Sequence, residues 1–384
     1  MENRPLVLTG KVICKNKYIM GKIAKNRQVE GEEKKDFIQV LDAKNISLFE
    51  EGYKGYIFEK LPQKIKVDNY AYNVTKQDTL IDYDIIEMID GRVIKVLYRD
   101  DSEDNVILAT NQCNSNCIMC PDPDAIRNTS ENPYIGKLIQ QVKYTPNDAT
   151  HITITGGEPG ILKWDLIKLV ASCKEYLSDT EFLLLSNGRV FADKTFTIEF
   201  KKSMPEVIRI GIPIYADNEE LHDGITRAKG SFKQAIVGIK NLIKEDIDVE
   251  IRIVVMKQNY KYLQDIASFI ANEIPEVKMV NIMALEMSGN AYLNREKVWI
   301  EFEEIKRYLY DACIKLISNG IVTNLYNFPL CMLNEKLYSI SHRSITDYKI
   351  RYQEECEDCT AKDICGGFFN TTIKVENIKV KPIK

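Results

Sequence analysis

Three cysteines on one short segment carry the clearest chemical signal in this 384-residue chain. Cys113, Cys117 and Cys120 form a C-x3-C-x2-C pattern directly after an apolar run. Three thiolates on one loop can hold three corners of a cubane iron–sulfur cluster and leave the fourth iron open to a ligand that is not protein. A structural zinc site needs four closed protein ligands, and this loop holds no fourth Cys or His. The spacing therefore favours an incompletely ligated, catalytic cluster over three structural cysteines in a turn.

A second motif follows a β-branched run at residues 151–155. Its residues are Gly156, Gly157, Glu158 and Pro159. Two glycines let a backbone turn sharply and come close to a ligand. Glu158 would then stand at the carboxyl end of the strand and face that ligand. Taken alone, the same four residues also suit a surface turn, so the motif gains its meaning from the cysteine loop that precedes it.

Two further strand ends carry polar groups. Residues 182–185 predict a strand that ends in Ser186 and Asn187, whose small polar groups can hydrogen-bond a ribose or a carboxylate; a simple Asn-Gly turn is the alternative. Arg252 lies among β-branched residues in a predicted strand at 249–256. A charge in such a strand needs a partner. Glu158, a carboxylate of a bound cofactor and another core acid all remain open.

The chain contains a second cysteine set near its end. Cys356, Cys359 and Cys365 form C-x2-C-x5-C, and Cys331 precedes them. Four thiolates can close a site, so this set fits either structural zinc or a fully ligated auxiliary iron–sulfur cluster.

The predicted elements would bring these motifs together. Strands and helices alternate from about residue 105 to 290, which indicates α/β architecture and a parallel sheet with right-handed crossovers. The predicted strands lie at about 106–111, 151–156, 182–186, 207–214, 249–256 and 278–285. In such a sheet the active site lies at the carboxyl ends of the strands. The motifs described above all fall at those ends.

Three regions are predicted along the chain: a small, mostly β domain at 1–100 that binds substrate or a partner, the α/β region at 101–290, and a C-terminal extension at 291–384. Cys173 and Cys313 are expected in helix cores, the three histidines show no ligand spacing, and the basic tail from Lys374 to Lys384 is expected to be a solvated terminus.

The net charge of −4 and the lack of a basic stripe disfavour nucleic acid as a partner. With ten cysteines and no apolar segment suited to secretion or membrane crossing, the expected location is the cytoplasm.

The cysteine loop resembles the signature of the radical S-adenosylmethionine (SAM) enzymes. Met119 stands where that family usually has an aromatic residue and would contact the adenine. The resemblance implies an open, partial (β/α)6 barrel, a [4Fe–4S] cluster on Cys113, Cys117 and Cys120, and SAM as cofactor. It further implies that Glu158 and its motif receive the methionine amino group of SAM, and that Ser186, Asn187 and Arg252 contact the cofactor.

The C-terminal cysteines are similar to the core of the SPASM and Twitch extensions that follow radical SAM barrels. The full SPASM pattern has another cysteine where this chain has Phe369, which favours one auxiliary [4Fe–4S] cluster of the Twitch kind. That cluster would accept an electron from the substrate or anchor the substrate.

The residues before the first cysteines and after the last ones resemble the C-type maturases of the His-Xaa-Ser system. This implies an oxidoreductase that modifies a ribosomally made peptide. It implies a second radical SAM maturase as partner and an electron donor such as flavodoxin or ferredoxin. The alternatives are a radical SAM enzyme that acts on RNA or a small metabolite, and a non-catalytic iron–sulfur or zinc protein that recruits partners.

Overall fold

The computed structural model describes residues 4–61, 66–122, 127, 134–343 and 349–384. Its two large sheets each contain eight strands, one sheet built from the N-terminal part of the chain and one from the region that follows. The strands of the first sheet are β1 (Val7–Thr9), β2 (Lys11–Cys14), β3 (Tyr18–Ala24), β4 (Phe37–Leu41), β5 (Gly55–Phe58), β6 (Asn69–Tyr72), β7 (Ile85–Ile89) and β8 (Val93–Tyr98).

The N-terminal sheet curls around its own core. Its spatial order is β1-β8-β7-β3-β4-β5-β6-β2, so β1 and β2 occupy opposite edges. In the chain these two strands are separated only by Gly10, and the sheet must therefore bend until its edges meet. The backbone hydrogen bond from the Thr75 N–H to the Thr9 carbonyl, at 2.8 Å, links the edge strand β1 to the segment that follows β6, the strand beside the other edge. The result is a small β barrel with an apolar interior.

The second sheet is parallel throughout, and its strands lie side by side in chain order. They are β9 (Asn105–Thr110), β10 (His151–Gly156), β11 (Glu181–Leu185), β12 (Ile208–Pro213), β13 (Asp248–Val254), β14 (Met279–Met283), β15 (Thr323–Tyr326) and β16 (Ser341–His342). The six predicted strands are confirmed. Two short strands, β15 and β16, extend the sheet beyond the prediction, because runs of four and two residues carry too little pattern to be recognised.

The described α-helices fall into two groups: the longer ones cover the outer face of this sheet, and the shorter ones lie beside the cysteine loop or in the C-terminal region. They are α1 (Ile135–Tyr144), α2 (Trp164–Tyr176), α3 (Lys194–Ser203), α4 (Glu219–Thr226), α5 (Ser231–Lys244), α6 (Leu263–Glu273), α7 (Gly289–Leu293), α8 (Arg295–Val298), α9 (Phe302–Ser318) and α10 (Asn370–Val375). Two starts have side-chain caps: Asp193 accepts from the Thr195 N–H at 2.9 Å, and Asn218 accepts from the Leu221 N–H at 3.0 Å.

The parallel sheet forms an open barrel whose core lies between strands and helices. On β13, Val249, Ile251 and Ile253 are buried against the helices, while Glu250 and Arg252 lie on the opposite face. This alternation follows from the two-residue period of a strand. Since β9 and β16 are the two edges of the sheet, the inner face keeps a lateral opening.

The N-terminal barrel is fixed to the open barrel through helix α1. The Tyr144 hydroxyl donates to Asp36 at 2.9 Å and accepts from the Lys54 ammonium at 2.7 Å. The Gln141 amide donates to the Leu97 carbonyl at 3.1 Å. Buried side chains from both parts also share one apolar cluster. Among the helices of the described ranges, none is long and apolar enough to cross a membrane.

Candidate active site

The cysteine loop begins where β9 ends, at the carboxyl edge of the parallel sheet. Cys113, Cys117 and Cys120 are all partly buried and unoxidised. Burial raises the pKa of the Cys113 thiol to about 11 and that of Cys117 to about 12, and each thiol is close enough to the others to raise these values further. The Ser115 N–H donates to the Cys113 sulfur at 3.4 Å. The thiols of Cys113 and Cys117 thus stay protonated at neutral pH until a metal displaces their protons.

Gly156 and Gly157 bring the end of β10 against this loop. Gly156 has a φ of +146°, which glycine adopts far more readily than other residues. The Gly157 N–H donates to the Thr110 carbonyl and the Glu158 N–H to the Gln112 carbonyl, both at 2.8 Å. A Cβ atom on Gly157 would lie 2.3 Å from the Gln112 oxygen. The two glycines therefore permit a close approach to the chain just before Cys113.

Glu158 points back toward the end of β11. Its side chain is buried and accepts from the Ser186 hydroxyl and the Gly160 N–H, both at 2.7 Å, and from the Asn187 N–H at 2.5 Å. Burial raises the pKa of this carboxyl, and the three donors oppose the shift. Among the described residues no ion pair reaches Glu158, and the more distant charge of Arg189 opposes the rise of its pKa only in part. A bound cation would therefore find a carboxylate without a direct ion-pair partner. Pro159 opens the short helical turn Pro159–Leu162 that supplies the Gly160 donor.

Several residues that hold the loop were not identified from the sequence. The Asn290 amide donates to the Cys117 carbonyl at 3.2 Å, and the Asn294 amide donates to the Ile118 carbonyl at 2.9 Å. The Arg189 guanidinium donates to the Asn114 carbonyl at 2.7 Å, and that of Arg127 to the Ser115 carbonyl at 2.9 Å. Arg189 follows the Ser186-Asn187-Gly188 segment directly, which was a usable signal. The two asparagines lie far along the chain and had none.

An apolar cluster adjoins the loop. Met119 is buried there with Tyr215, Met256 and Met287. Tyr215 lies two residues past β12; burial raises the pKa of its hydroxyl well above the ordinary range, and the neighbouring thiols of Cys117 and Cys120 add to the shift. Its ring stacks on His222, whose Nδ1 accepts from the Tyr215 N–H at 3.2 Å. His222, to which the sequence assigned no role, therefore supports Tyr215 beside the cysteine loop.

This geometry agrees with what the chain resembles. Residues 107–270 match the radical SAM superfamily. The chain carries a radical SAM domain. Enzymes of this superfamily bind a [4Fe–4S] cluster and SAM, and these are the cofactors that the match assigns to this chain. The match likewise indicates an enzyme rather than a non-catalytic protein.

Two curated proteins of Bacillus subtilis (strain 168) are similar to part of the chain. The antilisterial bacteriocin subtilosin biosynthesis protein AlbA is 28% identical over 166 residues, 41% of this chain and 34% of that protein. The sporulation killing factor maturation protein SkfB is 25% identical over 170 residues, 42% of this chain and 38% of that protein. The similarity thus spans little more than a third of either relative.

Among solved structures, native anSMEcpe with bound AdoMet and Cp18Cys peptide has a TM-score of 0.53 at 12% identity. It covers 73% of this chain and 92% of that one. At this identity the likeness concerns the fold, and it supports the open parallel barrel described above.

The cysteine loop offers the kind of donor set that a cubane cluster needs. The charges of Cys113 and Cys120 raise the pKa of Cys117, which shows that the three sulfur atoms lie near one another. A cubane cluster binds each thiolate at a different iron, so these three donors would occupy three of its corners.

Arg252 makes an ion pair that the sequence left open. Its guanidinium donates to Glu250 at 2.7 Å, two residues earlier on the same strand. Among the options of Glu158, a cofactor carboxylate and another core acid, the structure thus pairs Arg252 with a core acid. The contacts of Arg252, Ser186, Asn187 and Met119 with SAM remain predictions.

The second cysteine set is brought together at one cavity. Cys331, Cys356, Cys359 and Cys365 all line a space of about 330 Å³, part of which opens to solvent. The Cys365 sulfur accepts from the Leu330 and Gly367 N–H groups, each at 3.4 Å. Burial raises the pKa of Cys331 to about 11, and the nearby Cys365 and Cys356 thiols add to it.

The C-terminal tail covers this cavity, so the expectation of a solvated terminus is wrong. Val380, Pro382 and Ile383 line the cavity beside the four cysteines. The Thr360 N–H donates to the Ile383 carbonyl at 2.9 Å, and Ile378 is only 3% exposed. The tail lysines alternate with these apolar residues and point outward. That alternation was a usable signal of a packed tail, although the high lysine content had suggested a solvated one.

Proposed function

We propose that this chain is a radical SAM enzyme that modifies a ribosomally made peptide. The observation that carries the proposal is the pairing of the three-cysteine loop with Glu158, a buried carboxylate without a direct ion-pair partner just past the end of the next strand. When bound, the cluster supplies the electron that cleaves SAM to methionine and a 5′-deoxyadenosyl radical, which removes a hydrogen atom from the substrate.

In this proposal the residues of the site have separate tasks. Cys113, Cys117 and Cys120 bind the cluster. Glu158 accepts a hydrogen bond from the SAM amino group, while Ser186 and Asn187 hold the Glu158 carboxylate in place. Asn187, the residue after Ser186, also reaches the loop through its amide, which donates to the Asn114 side chain at 2.7 Å.

The apolar residues around Met119 form the wall against the adenine. This wall and the covering α7 segment exclude water from the site, which protects a reactive intermediate.

The peptide substrate is inferred from the relatives. AlbA is described as a bacteriocin biosynthesis protein and SkfB as a killing factor maturation protein. The anSMEcpe structure contains a bound peptide. We further propose the His-Xaa-Ser type of peptide, a second radical SAM maturase as partner and a flavodoxin or ferredoxin as electron donor, on the resemblance of the segments that flank the cysteines.

The second cysteine set is proposed to hold an auxiliary [4Fe–4S] cluster, with structural zinc as the alternative. The proposal of a cluster is supported by the resemblance of these cysteines to the Twitch pattern and by their meeting at one cavity. Backbone N–H groups donate to the Cys365 sulfur and would stabilise a metal-bound thiolate there.

The test is formation of 5′-deoxyadenosine by the anaerobically reconstituted, reduced full chain. We expect the Cys113→Ala, Cys117→Ala, Cys120→Ala triple variant to form none, because the loop lies at the barrel mouth and its cysteines can be lost without unfolding the core. The control replaces the three core cysteines, Cys14, Cys173 and Cys313, by Ala and should retain cleavage. Intact cleavage in the first triple variant would refute the proposal.

Peptide modification is tested separately. Co-expression with a short peptide that contains His-Xaa-Ser repeats should change the mass of the peptide, as measured by mass spectrometry. Cleavage of SAM without a change in that peptide would leave the radical SAM assignment intact and exclude the His-Xaa-Ser type.

A further inference from the structure

The inner face of the open barrel has two different walls. Strand residues alternate between the helix-packed core and this inner face, so each strand contributes every second side chain to it. The wall on β9 is apolar. Val106 is 43% exposed and Leu108 is 52% exposed, although both are large apolar side chains. The opposite wall, on β12 to β16, is polar and contains Arg209, Glu250, Arg252, Asn281, Asn324 and His342.

The polar wall carries an excess of positive charge. Glu250 is buried and accepts from Arg252 at 2.7 Å, and the Arg209 guanidinium lies 3.7 Å from its other oxygen. Two guanidinium groups therefore share one carboxylate. Asp248, the register partner of Arg209, is paired with Lys278 at 3.5 Å instead. Tyr326, at the carboxyl end of β15, lies near Glu250 and both arginines.

Arg209 has donor capacity that the protein does not use. Within the described ranges its Nε is buried and has no hydrogen-bond partner. One of its terminal nitrogens lies 3.9 Å from the Met279 sulfur, which is a weak acceptor. A planar guanidinium with free donors binds a carboxylate through two parallel hydrogen bonds.

Arg209 lies where it would bind a part of the substrate that is distant from the reacting atom. Arg252 stands near the barrel mouth, where its carbonyl accepts from the Ile214 N–H at 3.1 Å, one residue before Tyr215. Arg209 precedes Pro213, the register partner of Arg252, by four residues on β12. That separation corresponds to about 13 Å along the strand. A chain of about four extended residues would connect the two levels.

We propose that the barrel interior binds a peptide segment that places a carboxylate on Arg209 and an apolar side chain against Val106 and Leu108. This inference rests on the proposed function and adds the chemistry of its substrate. The carboxylate belongs either to an Asp or Glu side chain or to a peptide C-terminus. The apolar wall opposite the arginines favours a peptide over a nucleic acid, whose charge is uniform along its length.

The experiment measures binding to the full chain, reconstituted with its iron, by ligand-observed NMR titration. The probes are the N-acetylated tetrapeptide amides Leu-Gly-Glu-Gly and Leu-Gly-Gln-Gly and the free acid of the second. We expect the Glu peptide to bind about 10- to 150-fold more tightly than the Gln amide, the effect of one charge-assisted hydrogen-bonded pair. Preferred binding of the free acid would assign the site to a peptide C-terminus.

Two variants identify the residue responsible. Arg209→Gln should abolish the preference for the carboxylate, while Glu250 keeps its partner Arg252 and the fold persists. Lys240→Gln removes the same charge from an outer helix, where Lys240 pairs with Glu273 at 3.3 Å, and should leave the preference unchanged. Equal affinity for all three peptides, no saturable binding, or tighter binding of a single-stranded trinucleotide would overturn the proposal.

SAM cleavage without peptide is measured on the same preparations. Absence of cleavage by the unmodified chain would refute the proposed function, whereas cleavage by that chain without a preference for the carboxylate peptides would refute this inference alone.

Discussion

Glu158 is the residue on which cofactor binding should depend most strongly. Its carboxylate is fixed by donors from Ser186, Asn187 and Gly160, and burial raises its pKa although these donors and the charge of Arg189 oppose the shift. A carboxylate can accept about four hydrogen bonds, so room remains for an ammonium group. The residue is therefore held in position before any cofactor arrives, which lowers the entropy cost of binding.

Glu158→Gln should weaken SAM binding about 10- to 150-fold, because a charge-assisted hydrogen bond contributes roughly 1.5–3 kcal/mol. Equilibrium dialysis with SAM measures the effect. The matched control is Glu199→Gln on α3, which removes an exposed carboxylate paired with Lys202 at 2.6 Å. A melting temperature for both variants separates lost binding from lost folding. Unchanged affinity in a folded Glu158→Gln variant would remove Glu158 from the cofactor site.

At the scale of elements, the site depends on how closely β10 approaches the cysteine loop. Asparagine side chains from residues 290 and 294 hold the loop from one side, and the turn at Gly156 and Gly157 packs against it from the other. The loop thus has its shape from contacts on both sides, and a change in either element should disturb the placement of the thiols.

Gly157→Ala should reduce cluster incorporation. The added Cβ would lie 2.3 Å from the Gln112 oxygen, a backbone atom that cannot rotate away, so the strand end or the loop must shift. Such overpacking costs about 1–3 kcal/mol. Iron analysis of reconstituted protein, with a melting curve, measures the outcome.

Gly224 on α4 provides the comparison. A Cβ there meets no atom within 4 Å, and alanine is the better helix former by about 1 kcal/mol. Gly224→Ala should therefore melt at the same or a higher temperature and keep its iron. Full iron content in Gly157→Ala would show that the close approach of β10 is not needed for the cluster.

At the scale of the whole molecule, the C-terminal region joins the second cysteine site to the barrel mouth. The tail lines the cavity of the four cysteines, and just before it the Thr372 hydroxyl accepts from the Met287 N–H at 3.1 Å. Met287 belongs to the apolar cluster beside the cysteine loop. The two cysteine sites are therefore parts of one continuous structure.

If both sites hold [4Fe–4S] clusters, the reconstituted chain should contain about eight irons, and the Cys113, Cys117, Cys120 triple variant about four. Cys356→Ala with Cys359→Ala should also leave about four irons and retain some SAM cleavage, because its loop cluster is unchanged. Closed ligation contributes to folding, so a lower yield of this variant is expected. About four irons with one tightly bound zinc in the unmodified chain would show that the second site is structural.

The parts of this protein that could be predicted from its sequence are those whose signals are local. The three-cysteine loop, the Gly-Gly-Glu-Pro turn and six strands are each defined by neighbouring residues, because ligand spacing, turn chemistry and strand alternation act over a few positions. These signals also placed the site at the carboxyl ends of the strands, since parallel strands share one such edge.

Residues that are distant in the chain meet only through the fold. The ion pair of Arg209 with Glu250 joins the neighbouring strands β12 and β13, and the contact of Asn290 with Cys117 required a crossover through most of the barrel. The tail covers the second cysteine site through its apolar residues, while its lysines had suggested solvent. In each case burial in the folded chain selects the partner, and burial depends on the packing of all elements together rather than on the residues that stand nearby in sequence.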